Sequence, residues 1–259
     1  MVDIIIPVYN EHSLFKNCLE SVRKHTNIPH RIIIINDNSK EDLLIDYFNE
    51  LEKLKLKNLI ILKNNKNLGF VKSVNKGMIF AKDNDVVLLN SDTVVTKNWL
   101  KKLNISAYSS EIIATVTPLS NNAAYCSVPN FEINNDIPDG FTIDLFANLI
   151  EEKSLKIYPE IPTAVGFCMY IKREALSAVG YFDERYFGKG YGEENDFCMR
   201  AKKAGYIHIL DDSTFVYHKG SASFTDIEKR RLLKRNLRIM DKLHPEYFSI
   251  INNFYLENP

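Results

Sequence analysis

Short apolar runs alternate with amphipathic segments along the first 117 residues. The runs are continuous, as in strands buried on both faces, and the segments between them repeat apolar residues at helical spacing. We predict strands at residues 3–8, 31–35, 59–62, 85–89 and 112–117, with helices at about 14–22, 42–56, 70–82 and 99–108. This alternation predicts an α/β fold with a mostly parallel central sheet flanked by helices.

The alternation weakens after residue 117. Residues 118–162 show no clear period, and we interpret them as an excursion over one edge of the sheet. An apolar strand is predicted at 163–171 with Gly166 inside it, where a glycine allows a ligand or another backbone to approach closely. Two short strands at 207–210 and 214–217 and a helix at 225–243 complete the prediction.

Polar residues follow each of the first four predicted strands. In parallel sheets, ligands bind at the carboxyl ends of the strands. One carboxylate at such a position is explained equally well as a cap of the next helix. Four polar ends together favour a binding rim, and they are Tyr9-Asn10-Glu11, Asn36-Asp37-Asn38-Ser39, residues 64–69 and Asn90-Ser91-Asp92.

Three carboxylates, Glu193, Glu194 and Asp196, open a predicted helix behind a loop with three glycines between residues 188 and 192. Acids in first turns are common, because the helix dipole stabilises them by roughly 0.3–1 kcal/mol. A glycine-rich loop, however, suits a segment that closes on a substrate. An ionised glutamate in this cluster is therefore a candidate general base.

Asp92 and His218 are candidate ligands of a divalent cation. A carboxylate and an imidazole that leave coordination positions open can hold a cation against phosphate oxygens. His218 follows an apolar strand and precedes a run of small residues, 219–223, which could close over phosphates. A lone histidine in this setting is more often a hydrogen-bonded structural residue, so both interpretations stay open.

Composition narrows the class of protein. The 33 basic and 33 acidic residues give zero formal net charge, which argues against a nucleic-acid partner. No apolar run approaches the roughly 18–20 residues of a membrane span and no signal peptide precedes the first strand, so we expect a cytoplasmic protein. The four cysteines lack the spacing of a zinc site or a disulfide framework.

The predicted C-terminal helix is basic. Between Asp226 and Lys242 it has seven basic and three acidic residues. A helix docked on the domain with a solvated basic face explains this composition. The alternative is peripheral contact with the inner face of a membrane.

In their order along the chain, these motifs resemble those of the family 2 glycosyltransferases of GT-A fold. The resemblance spans about residues 3–223. Its segments are Ile5-Ile6-Pro7-Val8-Tyr9-Asn10-Glu11, Ile35-Asn36-Asp37-Asn38-Ser39, Asn67-Leu68-Gly69-Phe70 with Lys72 and Asn75, Asn90-Ser91-Asp92-Thr93 at the DxD position, Gly192-Glu193-Glu194-Asn195-Asp196 at the acidic motif, and Tyr217-His218-Lys219-Gly220-Ser221.

The resemblance implies an inverting transfer of a sugar from a nucleotide-diphosphate donor, UDP- or dTDP-linked, to a hydroxyl of a glycan or lipid-linked glycan. Surface polysaccharide or glycoconjugate biosynthesis is the implied setting. It also implies a domain of residues 1–224, with a Rossmann-like nucleotide-sugar-binding half (1–117) and a half that binds the acceptor and supplies the base (118–224). A helical extension, 225–259, would follow.

The resemblance also assigns site roles. Asp92 and His218 would bind Mn²⁺ or Mg²⁺. Glu194 would be the general base, and Glu193 and Asp196 would orient the acceptor in a pocket bordered by Gly166. The donor would be bound by Pro7, Tyr9, Glu11, Asp37, Asn67, Lys72, Ser91 and Asp92.

Two positions depart from the family pattern. Asn90 replaces the first DxD acid, which leaves one carboxylate for the metal, and Asn36 replaces one acid of the second-strand pair. The alternative from another class is a catalytically silent nucleotide- or sugar-binding module, which loss of Glu194 or Asp92 would have favoured; both are present. A sugar nucleotidyltransferase would have a glycine-rich loop in place of Tyr9-Asn10-Glu11.

Overall fold

The computed structural model describes residues 1–220 and 226–257 of the chain. Within them, the strands are β1 (Val2–Val8), β2 (His30–Asn36), β3 (Leu59–Lys63), β4 (Asp85–Leu89), β5 (Thr93–Val94), β6 (Ile113–Leu119), β7 (Glu160–Ile161), β8 (Cys168–Ile171), β9 (Ile207–Phe215) and β10 (Tyr217–His218). The α-helices are α1 (His12–His25), α2 (Asp42–Lys53), α3 (Phe70–Phe80), α4 (Trp99–Ala107), α5 (Ile143–Lys153), α6 (Arg173–Val179), α7 (Glu184–Phe187), α8 (Glu193–Lys203), α9 (Asp226–Leu243) and α10 (Tyr247–Glu257).

Eight strands form one central sheet in the order β3-β2-β1-β4-β8-β6-β9-β7. The pairs β1–β2, β1–β4, β2–β3 and β6–β9 are parallel, which confirms the predicted mostly parallel sheet. β8 is inserted antiparallel between β4 and β6. Its first residue, Cys168, therefore lies opposite Leu89, the last residue of β4. A separate two-stranded sheet joins β5 to β10.

Both faces of the sheet are buried under helices, which is why the strands are apolar at consecutive positions. Ile4 and Ile6 of β1 pack in the layer formed by α1, α2 and α4, whereas Ile5 packs in the layer of α3, α6 and α8. Side chains alternate between the two faces along a strand, so burial on both sides requires an unbroken apolar run.

Helix α3 lies unusually close to the sheet at Gly77. A Cβ atom at this position would be 2.6 Å from Cγ2 of Ile5 and 3.1 Å from Cδ1 of Ile35. Real Cβ atoms do not come so near, so only glycine allows this approach. The close contact fixes the distance of α3, and of the turn that precedes it, from the sheet.

The predicted excursion at 118–162 is more regular than expected. It contains the end of β6, a 3₁₀ helix (Ala124–Cys126), α5 and β7. The hydroxyl of Thr142 accepts a hydrogen bond from the Leu145 amide and caps α5, and Phe146 packs on Phe215 of β9 with ring centroids 5.1 Å apart. Frequent Asn, Pro and Asp around this helix concealed its apolar spacing.

The predicted strand at 163–171 is too long. Only Cys168–Ile171 is strand, because the preceding amides bond elsewhere: Ala164 to the Cys198 sulfur and Val165 to the Thr117 hydroxyl. Gly166 therefore precedes the strand. The strands predicted at 207–210 and 214–217 are instead one long strand, β9, followed by β10.

The C-terminal region has one helix more than predicted. α9 matches the predicted helix over Asp226–Leu243, the predicted first residue 225 lying outside the described residues, whereas α10 was missed. Among the described residues, none of the helices has the length and apolar character required to span a bilayer.

Candidate active site

The two-stranded sheet brings Asp92 and His218 together. Asp92 lies in the turn after β4, and β10 pairs antiparallel with β5 so that His218 faces Thr93. The Lys219 amide donates to the Asp92 carbonyl, 3.0 Å away, and closes the pairing. As a result Nε2 of His218 lies 3.4 Å from Oδ1 of Asp92, with both side chains largely buried. The two predicted metal ligands are thus neighbours.

The orientation of His218 is fixed from three sides. Its Nδ1 donates to the Asn122 carbonyl (2.7 Å). The side chain of Asn121 accepts from the His218 backbone N–H through Oδ1 and donates to the His218 carbonyl through Nδ2. Phe167 stacks on the imidazole with centroids 5.1 Å apart. With the Nδ1 proton used in this way, a neutral imidazole directs its Nε2 lone pair at Asp92.

Asn121 and Asn122 were missed by the sequence analysis. They closely follow the end of β6. The rule that ligands bind at the carboxyl ends of strands, which predicted the four polar strand ends, would therefore have predicted these two residues as well. Gly220 packs so tightly on Asn122 that a Cβ would lie 2.1 Å from its Nδ2. Residues 221–223 of the predicted phosphate-closing segment lie outside the described residues.

The donor set at Asp92 and His218 fits a divalent cation shared with a substrate. Mn²⁺ accepts both carboxylate oxygen and imidazole nitrogen, and Mg²⁺ often takes one carboxylate plus phosphate oxygens. In the described parts of the chain, no three His, Cys, Asp or Glu side chains converge on a common metal position. Asp92 and His218 would supply two ligands to such a cation, which would leave coordination positions for phosphate.

Positive φ angles shape the loop before α8. They occur at Gly188, Gly190, Tyr191 and Gly192, with values of 21°, 123°, 70° and 101°. Such angles favour glycine, which explains the three glycines that drew attention in the sequence. At Gly192 a Cβ would also lie 3.2 Å from the Phe187 ring, so the loop is tightly folded. We call residues 188–192 the glycine loop.

Glu194 lies next to the strand lead-in that carries Phe167. Its Oε2 accepts a hydrogen bond from the Gly192 amide (3.2 Å). A Cβ on Gly166 would lie 3.9 Å from Cγ and 4.0 Å from Cδ of Glu194, in ordinary van der Waals contact. Since Phe167 stacks on His218, residues 166–167 bridge the predicted base and the predicted metal ligands.

Burial raises the pKa of both glutamates. Glu193 is 5% exposed, and its Oε2 has no hydrogen-bond partner among the described residues. Desolvation and then the neighbouring Glu194 charge raise the pKa of Glu193 well above its usual value. Desolvation also raises the pKa of Glu194, opposed by backbone hydrogen bonds from its own amide and from Gly192. Glu194 is therefore a stronger base than an exposed carboxylate.

Asp196 is held by two basic side chains. Its Oδ2 accepts from Nε of Arg200 (2.9 Å), and its Oδ1 accepts from Nε2 of His244 (2.8 Å). These bonds tie the first turn of α8 to its own next turn and to the end of α9. Asp196 thus holds the first turn of α8, the helix that carries Glu194, in place. The family resemblance had implied a contact with the acceptor instead.

Asp37 organises the turn between β3 and α3. Its carboxylate accepts from the Leu68 amide (2.7 Å), the Gly69 amide (2.8 Å) and the Asn64 side chain (2.8 Å). A Cβ on Gly69 would lie 3.4 Å from Cα of Lys189, so this turn rests directly on the glycine loop. Two other predicted donor residues on this side, Asn67 and Lys72, are exposed.

Pro7 is the penultimate residue of β1, and the turn that follows carries Tyr9, which is 42% exposed, and Glu11. Asn10 and Glu11 have positive φ angles of 58° and 63°, and the Asn10 amide is held by the Ser39 hydroxyl at 3.0 Å. A cleft of about 510 Å³ is lined by Asn10, Glu11, His12, Ser13, Lys40 and Glu41. Ser91, partly buried, connects this rim to Asp92.

The sequence model of glycosyl transferase family 2 matches residues 3–180. The chain belongs to this family. The family prediction is thereby confirmed, and the matched residues include the turns after β1, β2, β3 and β4 but not the glycine loop or α8.

Relatives of this family 2 chain include glycosyltransferases from several bacteria. It is 29% identical over 103 residues to an uncharacterized glycosyltransferase of Haemophilus influenzae, covering 40% of this chain and 31% of the relative. Identity to the uncharacterized glycosyltransferase YwdF of Bacillus subtilis is 21%, over 95% of this chain and 84% of the relative. The O-antigen chain rhamnosyltransferase RfbN of Salmonella typhimurium is 27% identical over 36% of this chain and 31% of its own length.

Solved structures confirm the GT-A fold. GalNAc-T7 with UDP, GalNAc and Mn²⁺ superposes with a TM-score of 0.70 at 18% identity, over 93% of this chain and 47% of that one. The mannosyltransferase PcManGT of Pyrobaculum calidifontis, in complex with GDP-Man and Mn²⁺, superposes with a TM-score of 0.67 at 15% identity. The match covers 93% of this chain and 64% of that one.

Replacement of Glu193 tests the buried glutamate pair. A carboxyl whose folded-state pKa is raised stabilises the fold below its unfolded-state pKa, and this contribution is lost as the pH rises through the folded-state value. Glu193→Gln cannot ionise, so we expect it to be more stable than the natural protein by about 1 kcal/mol or more at pH 8, with the difference vanishing below about pH 4, under the unfolded-state pKa of about 4.3.

Thermal unfolding across this pH range is the measurement. Glu246→Gln is the matched control, since bonding to its own backbone amide and to Lys203 lowers the pKa of Glu246, and its removal should not stabilise the protein at pH 8. A Glu193→Gln variant that is less stable than the natural protein at pH 8 would contradict the expectation.

Proposed function

We propose that the protein is an inverting glycosyltransferase that moves a sugar from a nucleotide-diphosphate donor to an acceptor hydroxyl. One observation carries this proposal. A Cβ on Gly166 would lie 3.9 Å from Cγ of Glu194, and the next residue, Phe167, stacks on the His218 imidazole, so the proposed base and the proposed cation-binding pair border the same rim of the sheet. Family membership supports the same reaction class.

Glu194 acts as the general base. It takes the proton of the acceptor hydroxyl while the oxygen attacks the anomeric carbon of the donor sugar. The bond from that carbon to the diphosphate oxygen breaks on the opposite side, and the nucleoside diphosphate leaves with the electron pair. A single displacement of this kind inverts the anomeric configuration. The raised pKa of Glu194 brings its basicity closer to neutral pH, where general bases are most effective.

Asp92 and His218 would hold Mn²⁺ or Mg²⁺. The cation supplies neutralisation of the charge that develops on the leaving group. The Mn²⁺ complexes of GalNAc-T7 and PcManGT support this assignment. Because Asn90 adds no charge, the cation depends on one carboxylate of this motif.

The donor lies along the turns after β1, β2 and β3. The nucleoside is bordered by Pro7, Tyr9 and Glu11. The diphosphate is bordered by Ser91 and Asp92, which follow β4. The exposed side of the rim is formed by Lys72 and Asn67. Asp37 acts by holding the turn at residues 64–69. We propose a UDP- or dTDP-linked sugar as donor and a glycan or lipid-linked glycan as acceptor, in surface polysaccharide or glycoconjugate synthesis, which the name of the relative RfbN supports.

The exposed face of α9 contacts an anionic membrane surface at the cytoplasmic side. Arg230, Lys234, Arg238 and Lys242 follow one another at intervals of four residues and are all exposed. Residues at this spacing lie on neighbouring positions of one helix face. The opposite face is buried through Asn236 and Met240, so docking of α9 leaves the basic row free for phosphate headgroups.

Glu194→Gln tests the base. The substitution preserves size and removes the proton acceptor, so we expect transfer to fall by about a hundredfold or more. Binding of UDP or GDP with Mn²⁺, measured by titration calorimetry, should change by less than about threefold. Donors come from a screen of nucleotide sugars for hydrolysis and transfer with Mn²⁺ and Mg²⁺. Glu174→Gln, at an exposed position of α6, is the control.

Two outcomes would overturn parts of the proposal. Equal losses of nucleotide binding and turnover in Glu194→Gln would remove Glu194 from the role of base. A natural protein that binds nucleotides but transfers no sugar from any donor would instead favour the catalytically silent module.

Asp92→Asn tests the cation. The change keeps the shape of the side chain and removes its charge, so we expect affinity for UDP with Mn²⁺ to fall by about tenfold or more. Affinity without the cation should be unchanged. Calorimetry with and without Mn²⁺ makes the comparison, and Asp83→Asn, the same change at an exposed position before β4, is the control. Equal affinity of the two proteins for UDP in the presence of Mn²⁺ would exclude this role for Asp92.

Charge reversal of the basic row tests the membrane contact. We expect co-sedimentation with phosphatidylcholine vesicles only when they contain phosphatidylserine, and a loss of about a hundredfold in the combined variant Lys234→Glu, Arg238→Glu and Lys242→Glu, at about 1 kcal/mol per residue. Lys53→Glu, Lys55→Glu and Lys57→Glu, at exposed positions after α2, form the matched control. Equal binding of the natural protein to neutral and anionic vesicles, or none to either, would refute the contact.

A further inference from the structure

The inner face of α9 contacts the glycine loop and the first turn of α8. Its three contact residues, Asn236, Met240 and His244, are spaced four apart and are each 3% exposed or less. The side chain of Asn236 reaches the loop itself, Met240 reaches its last glycine, and His244 reaches Asp196. These residues all lie beyond 180, the last residue that the family model matches.

Asn236 bonds two consecutive carbonyls of the loop. Its Nδ2 donates to the carbonyl of Gly190 at 2.8 Å and to that of Tyr191 at 2.7 Å. Its Oδ1 has no hydrogen-bond partner among the described residues. Burial of an amide oxygen without a partner is unfavourable, so the side chain is placed for its two donor bonds.

Two further contacts extend the same face. Cγ of Met240 would lie 3.8 Å from a Cβ on Gly192. Nδ1 of His244 accepts from the Lys203 ammonium at 2.9 Å, since an ammonium can only donate. Nε2 of His244 therefore carries the proton that it donates to Asp196. Helix α9 thus holds the loop and the start of α8 together.

The opposite side of the loop rests on the donor rim. Gly69, whose amide bonds to Asp37, packs against Lys189 of the loop. The loop is therefore enclosed between the turn at residues 64–69 and α9. Glu193 and Glu194 follow it directly. Glycine residues give the loop little stiffness of its own, so these outside contacts determine where the base lies.

We propose that Asn236 is a positioning residue for Glu194 and that α9 is thereby a part of the active site. This inference rests on the proposed function, in which Glu194 is the base. Catalytic groups displaced by about 1 Å can lose a hundredfold in rate. The two donor bonds of Asn236 fix the carbonyls of Gly190 and Tyr191, directly before the Gly192 amide that donates to Glu194.

Asn236→Asp is the decisive variant, because it keeps the shape of the side chain and replaces the amide donor with oxygen. Asn236→Ala removes the donors without adding charge. If the aspartate variant does not fold, the alanine variant tests whether Asn236 positions Glu194. Leu237→Asp, at the next and exposed position of α9, is the matched control for an aspartate in this helix. All are made in the full chain and compared in thermal unfolding.

Hydrogen–deuterium exchange of peptides covering residues 188–195 gives a readout that needs no substrate. We expect exchange there to be about tenfold faster or more in both Asn236 variants, with peptides of β1 unchanged. In transfer assays, kcat should fall by about thirtyfold or more while KM for the donor changes by less than about threefold. Leu237→Asp should resemble the natural protein in both.

Unchanged exchange in the glycine loop of the Asn236 variants would overturn the proposal, as would a rise in donor KM that matches the fall in kcat. A natural protein without transfer activity would refute the proposed function alone. In that case the exchange data would still decide whether Asn236 holds the loop.

Discussion

The backbone of β8 runs antiparallel to β4, with Cys168 opposite Leu89, and the Asn90 amide donates to the Phe167 carbonyl at 2.8 Å. The contacts of Phe167 with His218 and the approach of Gly166 to Glu194 depend on this pairing. It places the lead-in to β8 at the carboxyl edge of the sheet, where the first four strand ends already lie. Phe167 then meets His218 and Gly166 meets Glu194, so residues far apart in sequence border one rim.

The two sets of acids on this rim have different electrostatic environments. Asp92 lies beside an imidazole whose orientation is fixed by the Asn122 carbonyl, an arrangement suited to positive charge. Glu193 and Glu194 lie in a dry first turn where burial raises both pKa values. The helix dipole favours ionised acids at this turn but is outweighed by desolvation. In the proposed mechanism, binding of a cation and acceptance of a proton are therefore separated on the same rim.

Local signals in the sequence were sufficient for the sheet and for part of the site. Continuous apolar runs such as 3–8 predicted buried strands, and polar strand ends predicted Asp92 and Asp37 at one edge. The sequence did not reveal α10, the short extent of β8 or the role of Asn236. Each depends on partners distant in the chain: Tyr125 stacks on Phe254 of α10 at 5.2 Å, Ala164 bonds to Cys198, and Asn236 bonds to the glycine loop. Periodicity carries no information about such partners.

The enclosure of the glycine loop has a consequence for the order in which the protein is completed during synthesis. The turns after β1, β2, β3 and β4 all lie within the first hundred residues. The strands that they follow are therefore synthesised early. The hydrogen bonds from Asn236 to the carbonyls of Gly190 and Tyr191 can form only when Asn236 has emerged from the ribosome. A nascent chain would then acquire the strand-end turns of its rim first and an ordered glycine loop only after α9 had been synthesised.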